Sequence, residues 1–233
     1  MQSGIRWILF DAVGTLIYPR PPVAEVYRDG GRQFGSLLDA EEIATRFRRA
    51  LAAENDGHES LTRPPTSEFA ELARWRRIVA AVLDDVPEGG QARLFQSLWR
   101  HFAQPGHWRV FDDVQPALLQ LADAGFRLGI ASNYDGRLRT IVAAHAELAH
   151  CEQIFVSSQV HFTKPDPRFF RAVGEQLEAE PAEILLVGDD WLADIEGARA
   201  SGWQAIFLNR EAELRDATTI ASLSELPSRY GAR

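Results

Sequence analysis

Arg6-Trp7-Ile8-Leu9-Phe10-Asp11-Ala12-Val13-Gly14-Thr15-Leu16 is the stretch on which the fold turns. Its apolar run, Arg6 to Phe10, reads as a buried strand of a mostly parallel sheet, and a carboxylate follows the strand directly. Four further runs have the same character: Arg127 to Ala131, Gln153 to Val156, Ile184 to Val187 and Ala205 to Leu208. Stretches long enough for a crossover helix separate these four. Leu118, Leu121 and Ala122 mark one helix, ended by Gly125, and Asp166-Pro167 caps and starts another that runs to Leu177. A third follows Asp190 and stops at Gly202. Strand and helix alternating in this way predict a doubly wound, Rossmann-like α/β core.

The first strand breaks the rhythm. Helical periodicity follows it at Val23 to Phe34, Ile43 to Ala53, Phe69 to Leu83 and Leu94 to Phe102. Proline-rich joints, Pro19-Arg20-Pro21-Pro22 and Gln104-Pro105-Gly106, bracket that block. The expected organisation is an α/β core from residues 1–18 and 107–233 with an all-helical cap, 19–106, inserted into it.

Composition narrows the functions. The net charge of -8 argues against a nucleic-acid partner. No apolar stretch has the length of a membrane span, and no signal-like segment opens the chain, so a soluble, cytoplasmic protein is expected, monomer or weak dimer. One cysteine, Cys151, permits no internal disulfide and reads as structural.

Among 25 basic residues one is a lysine, Lys164. Arginine was acceptable wherever else a cation was wanted. A narrow polar pocket beside carboxylates or a phosphate would admit a slim ammonium and exclude the planar fork. A solvated side chain with no role is the plainer alternative. Ligands of parallel sheets bind beyond the carboxyl ends of the strands. There the chain places Asp11, Ser132-Asn133, Ser157-Ser158 and Gly188-Asp189-Asp190. Carboxylates facing one another on one rim repel, and a hard divalent cation such as Mg²⁺ with oxygen ligands resolves the conflict. Lys164 would hold the nucleophilic carboxylate or a substrate oxyanion.

Phe10-Asp11-Ala12-Val13-Gly14-Thr15-Leu16 resembles the nucleophile motif of the haloacid dehalogenase-like (HAD) hydrolase superfamily. Ile130-Ala131-Ser132-Asn133 and Lys164-Pro165-Asp166-Pro167 are similar to its second and third motifs. Leu186-Val187-Gly188-Asp189-Asp190, with Asp194 and Gly197-Ala198, is similar to its fourth. The helical insert matches one branch, and Phe102 to Trp108 and Gly188 to Trp191 resemble a narrower group within it. The resemblance implies a phosphohydrolase of small phosphorylated metabolites, with Asp11 as nucleophile. It implies Mg²⁺ on Asp11, the Val13 carbonyl and Asp189, with Asp190 and Asp194 acting directly or through water. It also implies phosphoryl oxygens received by Ser132 and the amides of Ala12 and Asn133, with Lys164 neutralising charge.

One departure matters. Phosphatases of the family carry a second aspartate two residues after the nucleophile, as acid and base, and here that residue is Val13. Its loss costs about 10²–10⁴-fold on unactivated esters. A 2-haloacid dehalogenase also lacks that aspartate, but needs no metal and has no acidic pair like Asp189-Asp190. A phosphonate-cleaving member would need a Schiff-base lysine in the insert, and residues 20–109 contain none. A binding protein that keeps the fold without turnover is the remaining alternative. Trp191, beside the acidic pair, is a candidate pocket wall, and Arg20 or Arg28 a candidate contact for a second anion. The cap is expected to open and close about its two joints.

Overall fold

A computed structural model describes residues 4–55, 61–211 and 218–230. β1 (Trp7–Phe10) is buried along its whole length. A turn leads into β2 (Ile17–Pro19), and then come α1 (Val23–Arg32), α2 (Ala40–Asn55), α3 (Glu68–Val82) and α4 (Glu88–Ala103). β3 (Trp108–Val110) returns antiparallel to β2, pairing Trp108 with Pro19. The chain continues through α5 (Val114–Asp123), β4 (Arg127–Ser132), α6 (Arg137–Ala143), β5 (Cys151–Val156) and α7 (Ser157–Val160). It ends with α8 (Pro167–Leu177), β6 (Ile184–Gly188), α9 (Gly197–Ala200), β7 (Gln204–Leu208), β8 (Thr219–Ile220) and α10 (Leu226–Tyr230).

Six strands form one sheet in the order β5-β4-β1-β6-β7-β8, parallel throughout. This is the doubly wound α/β core expected, with all five expected strands in place. β1 lies between β4 and β6, so Phe10 aligns with Ile130 on one side and Val187 on the other. Whatever follows these three strands therefore meets on one rim. Alternate residues of β1 supply the two faces of the sheet: Ile8 and Phe10 enter one apolar cluster, Trp7 and Leu9 the other. The β2–β3 ribbon and β8 were not expected, because strands of two or three residues are too short to carry a period of two.

The four inserted helices bury a cluster of their own, with Tyr27, Ile43, Ile78, Val82, Leu94 and Leu98 among its members. The two joints lie side by side, closed by the Arg20 amide donating to the His107 carbonyl (2.8 Å). A further tether runs between α2 and α3. The Arg63 and Thr66 amides donate to Asp166 and to the His161 carbonyl (2.6 and 2.9 Å). Glu68 accepts from the Gly136 amide and the Ser158 hydroxyl (2.9 and 2.7 Å). The insert is thus strapped to the sheet-bearing part at a second point, through residues 63–68. Opening about the joints alone would have to break these bonds. Among the described residues no helix is long and apolar enough to cross a membrane.

Candidate active site

The turn after β1 is fixed by its neighbours. The Asp11 amide donates to the Val187 carbonyl (2.9 Å), bonding the turn to β6. Gly14 has φ +90°, and a Cβ there would stand 2.2 Å from Asp189 Oδ2. Only glycine satisfies both conditions. The buried Thr15 hydroxyl donates to Asp189 Oδ1 (2.6 Å). Arg210, just beyond β7, donates to the Thr15 carbonyl (2.8 Å) while Asp113 grips its guanidinium (2.9 Å). The sequence reading gave Thr15, Arg210 and Asp113 no role. Arg210 was within reach of the rule that found the others, since it too follows a strand end.

The acidic segment after β6 is equally constrained. Gly188 leaves no room for a side chain, because a Cβ would lie 2.2 Å from Asp194 Oδ2. Asp190 caps the next helical segment, accepting from the Ala193 amide (2.8 Å). That segment, Trp191–Glu196, is wound as a π-helix, a local widening frequently found at functional sites. It carries Asp194 back under the rim, where Oδ2 accepts from the Asp190 amide (3.0 Å).

Lys164 occupies the centre and is 3% exposed, which overturns the alternative of a solvated side chain. Its Nζ donates to Asp11 Oδ1 (2.8 Å), Asp194 Oδ1 (2.5 Å) and the Ala131 carbonyl (2.7 Å), so all three protons are used. Asn133 clasps the lysine backbone in both directions, donating to its carbonyl and accepting from its amide (both 2.8 Å). A guanidinium brings five donors to a site that offers three acceptors, and each unmatched one would be buried. The wider fork therefore has no place here.

Asp11, Asp189 and Asp194 each offer an oxygen within 4.8 Å of the others, against one ammonium. Burial first, then the Asp11 charge, push Asp189 up to about 6. Burial and Asp11 likewise raise Asp194, against the pull of Lys164. For Lys164 itself burial works downward, but Asp11 and Asp194 outweigh it and keep the ammonium charged. The surplus of negative oxygen suits a hard divalent cation. Asp11, Asp189 and the Val13 carbonyl fit that role. The hydrogen bonds of the turn use the Ala12 carbonyl and Gly14 amide and leave the Val13 carbonyl out of the pairing. Asp194 has both oxygens engaged already, and Asp190 stands outside the cluster of three.

A cavity of about 380 Å³ opens from this rim toward the insert. Asp11, Val13, Ser132, Asn133, Lys164 and Asp189 form its floor. Tyr27, Phe47, Trp75, Trp99, Phe102 and Trp108 are among its walls. Arg137 joins the two: Asp135 holds its guanidinium (2.8 and 2.7 Å), which lies 3.3 Å from the centre of the Trp99 ring. Trp191 does not border the cavity, but packs on Phe207 and donates to Glu196 (2.8 Å). Arg28 pairs with Asp29 (2.8 Å) and Arg20 is exposed. The arginines that do border it are Arg74 and Arg137. The aromatic walls went unassigned in sequence because their spacing along helices is that of ordinary core residues.

A family model described as haloacid dehalogenase-like hydrolase matches residues 5–202. Haloacid dehalogenase-like hydrolase domain-containing protein 3 of Danio rerio is 27% identical over 238 residues, covering 98% of each chain. The phosphoserine phosphatase of Thermus thermophilus is 26% identical over 223 residues, covering 88% of this chain and 89% of its own. Among solved structures, an HAD phosphatase from Thermococcus onnurineus superposes with a TM-score of 0.67 at 24% identity, covering 97% of this chain and 98% of the other. That likeness is one of fold. The family match, spanning four of the six sheet strands and the whole insert, makes the chain a member of the haloacid dehalogenase-like hydrolases, and it is similar to the branch of domain-containing protein 3.

Proposed function

We propose that the protein is a Mg²⁺-dependent phosphohydrolase that acts through an aspartyl-phosphate on Asp11, on a small phosphorylated metabolite. The observation that carries this reading is the cluster of Asp11, Asp189 and Asp194 around one buried ammonium. Lys164 binds one oxygen of Asp11. The other has no hydrogen bond among the described residues and is the oxygen that attacks phosphorus, while the bond from phosphorus to the leaving oxygen breaks. The Ser132 hydroxyl and the amides of Ala12 and Asn133 receive the phosphoryl oxygens, and Lys164 opposes their charge. Water then attacks the phosphorus of the aspartyl-phosphate, which releases phosphate and restores the carboxylate. Bound Mg²⁺ supplies a cation that neutralises phosphoryl charge; Asp11, Asp189 and the Val13 carbonyl would hold it, with Asp190 and Asp194 reaching it through water. Val13 gives the departing oxygen no proton. The same substitution favours a second reading, a 2-haloacid dehalogenase, since halide leaves unprotonated. Asp189 weighs against it as a second acid with no task in that chemistry.

Burial pushes the Cys151 thiol up to about 12, so it stays unreactive, and a lone cysteine fits a reducing cytoplasm as the place of action. Hydrolysis of p-nitrophenyl phosphate with Mg²⁺ or with chelator tests the reading. Expected is metal-dependent turnover, abolished by Asp11→Asn and raised by Val13→Asp. Chelator-insensitive halide release from 2-haloacids would establish the dehalogenase instead. A folded protein that binds Mg²⁺ yet turns over nothing, with or without Val13→Asp, is a binding module.

A further inference from the structure

The phosphohydrolase reading leaves the leaving group unnamed, and the cavity describes it. Two features coincide there. The floor lacks the usual proton donor, because Val13 occupies its place, and the walls that enclose whatever is attached to the phosphate are aromatic. An alkoxide departs badly without a proton, since its conjugate acid is about as weak as water, with a pKa near 15.7. A phenolate is far less basic, its acid lying near 10 as in tyrosine. An enclosure without an acid selects the second kind of leaving group, and an aromatic enclosure binds the ring that carries it.

The walls are organised for a flat ring. Phe47 and Trp75 stand nearly parallel, their planes 26° apart at 6.4 Å. Trp99 is held by the Arg137 guanidinium over its face, so that this wall is braced from the sheet side by Asp135. Tyr27 is 2% exposed and borders the cavity, and its hydroxyl is not among the fully buried polar atoms left without a partner. Burial holds this phenol well above its ordinary pKa, so it stays a neutral donor rather than an acid. It is suited to a polar substituent on the bound ring. A volume of about 380 Å³ is at the lower end of small-molecule sites, enough for a phosphate with one or two fused rings.

Resting on the phosphohydrolase reading, we propose that the substrates are aryl phosphate monoesters. The phosphate sits on a phenolic oxygen, and the ring lies among Phe47, Trp75 and Trp99 with Tyr27 donating to it. Attack by Asp11 breaks the bond between phosphorus and that oxygen, the phenolate leaves with the electron pair, and it takes its proton from water. The test uses the full chain with Mg²⁺ and four probes: acetyl phosphate, ethyl phosphate, phenyl phosphate and 1-naphthyl phosphate. Expected is kcat/KM for phenyl phosphate about 10³-fold or more above ethyl phosphate, with 1-naphthyl phosphate at least about ten-fold above phenyl phosphate. Val13→Asp should shrink the phenyl-to-ethyl ratio by about 10²-fold, because the restored acid helps the poor leaving group far more than the phenolate. Phe47→Ala should lower the naphthyl-to-acetyl ratio about ten-fold, and Phe47→Leu, which keeps the apolar volume without the ring, guards against misfolding. Turnover of acetyl phosphate with no advantage for either aryl ester would overturn this assignment and leave the phosphohydrolase standing. No turnover of any probe would remove both.

Discussion

The rim at the carboxyl ends of β1, β4 and β6 and the aromatic wall above it are built on opposite plans. On the rim the positions are tightly fixed: Lys164 uses all three protons, Asp194 both oxygens, and Gly14 and Gly188 lack space for one more carbon. The wall is a set of rings from α1 to α4 and their flanks, in contact through tilted and edge-on pairs such as Tyr27 with Phe47 and Phe102 with Trp108. Apolar packing is non-directional and tolerates exchange of similar volumes. A charged network with one geometry does not. On the proposed function, chemistry is fixed where the chain has no freedom, and selection among substrates is left where it has some.

The largest effect should come from the rim. Lys164→Met is expected to abolish turnover and to cost about 3–5 kcal/mol of stability, since it strips two carboxylates of their buried partner. Lys164→Arg should fail as well, because the fork does not fit three converging acceptors. Turnover of p-nitrophenyl phosphate and thermal unfolding measure the two losses. A stable, active Lys164→Arg protein would break the contrast at its root.

Arg210 extends the rim's plan one layer outward, and a smaller effect is expected from it. Arg210→Leu frees the carbonyl of Thr15 and leaves Asp113 with Ser222 and the Leu223 amide alone (2.7 and 2.8 Å). Hydrogen bonds to charged groups contribute about 1.5–3 kcal/mol each, and a loss within that range is the expected outcome. Because the turn that carries Asp11 loosens, kcat should fall while KM changes little. A fall in stability without any change in kcat would show that Arg210 serves only the fold.

The same contrast explains what the sequence disclosed. Asp11, Ser132 and Asp189 each sit at or directly after a strand end, and Lys164 on the loop between α7 and α8, so local pattern placed them on one rim before any geometry was known. Asp166-Pro167 announced the start of α8 by its cap, and Asp166 does accept from the Arg168 amide (2.9 Å). The second duty of Asp166, holding the Arg63 amide, was invisible because the two residues are a hundred positions apart. The cavity wall was hidden for a like reason. Phe47, Trp75 and Trp99 come from three helices, and each alone has the spacing of a core residue. Only the packing of the helices shows that their rings face a space.

Asp166 also offers a way to sharpen the comparison at the border between rim and wall. Asp166→Ala removes the N-cap of α8, worth about 1 kcal/mol, together with the strap to the insert. Asp166→Asn keeps one acceptor: with its oxygen on the Arg168 amide the cap survives, while its NH₂ group faces the Arg63 N–H and the strap is lost. Both variants should raise hydrogen exchange at the Arg63 amide and relax the preference for aryl over acetyl phosphate, and the alanine variant alone should also lose the cap's share of stability. Raised exchange with an unchanged preference would mean that the strap does not hold the wall in place.

The smallest effect is expected at the joints. The His101 ring stacks on His107 at 3.7 Å, and its Nε2 is buried with no hydrogen-bond partner among the described residues. Burial first, then the charge of His107, hold the His101 imidazole below its ordinary value. The unfolded chain titrates near 6.5, so as pH falls through that value the unfolded state takes up the proton before the folded state does. Stability contributed by the neutral ring is full above about 6.5, declines below it, and levels off under the folded pKa. His101→Gln, which cannot be protonated, should give a melting temperature that falls less steeply between pH 7.5 and 5.5 than that of the native chain. Parallel slopes would place the titration elsewhere. A steeper native slope assigns part of the loss of stability in acid to the buried neutral ring of His101 at the joints.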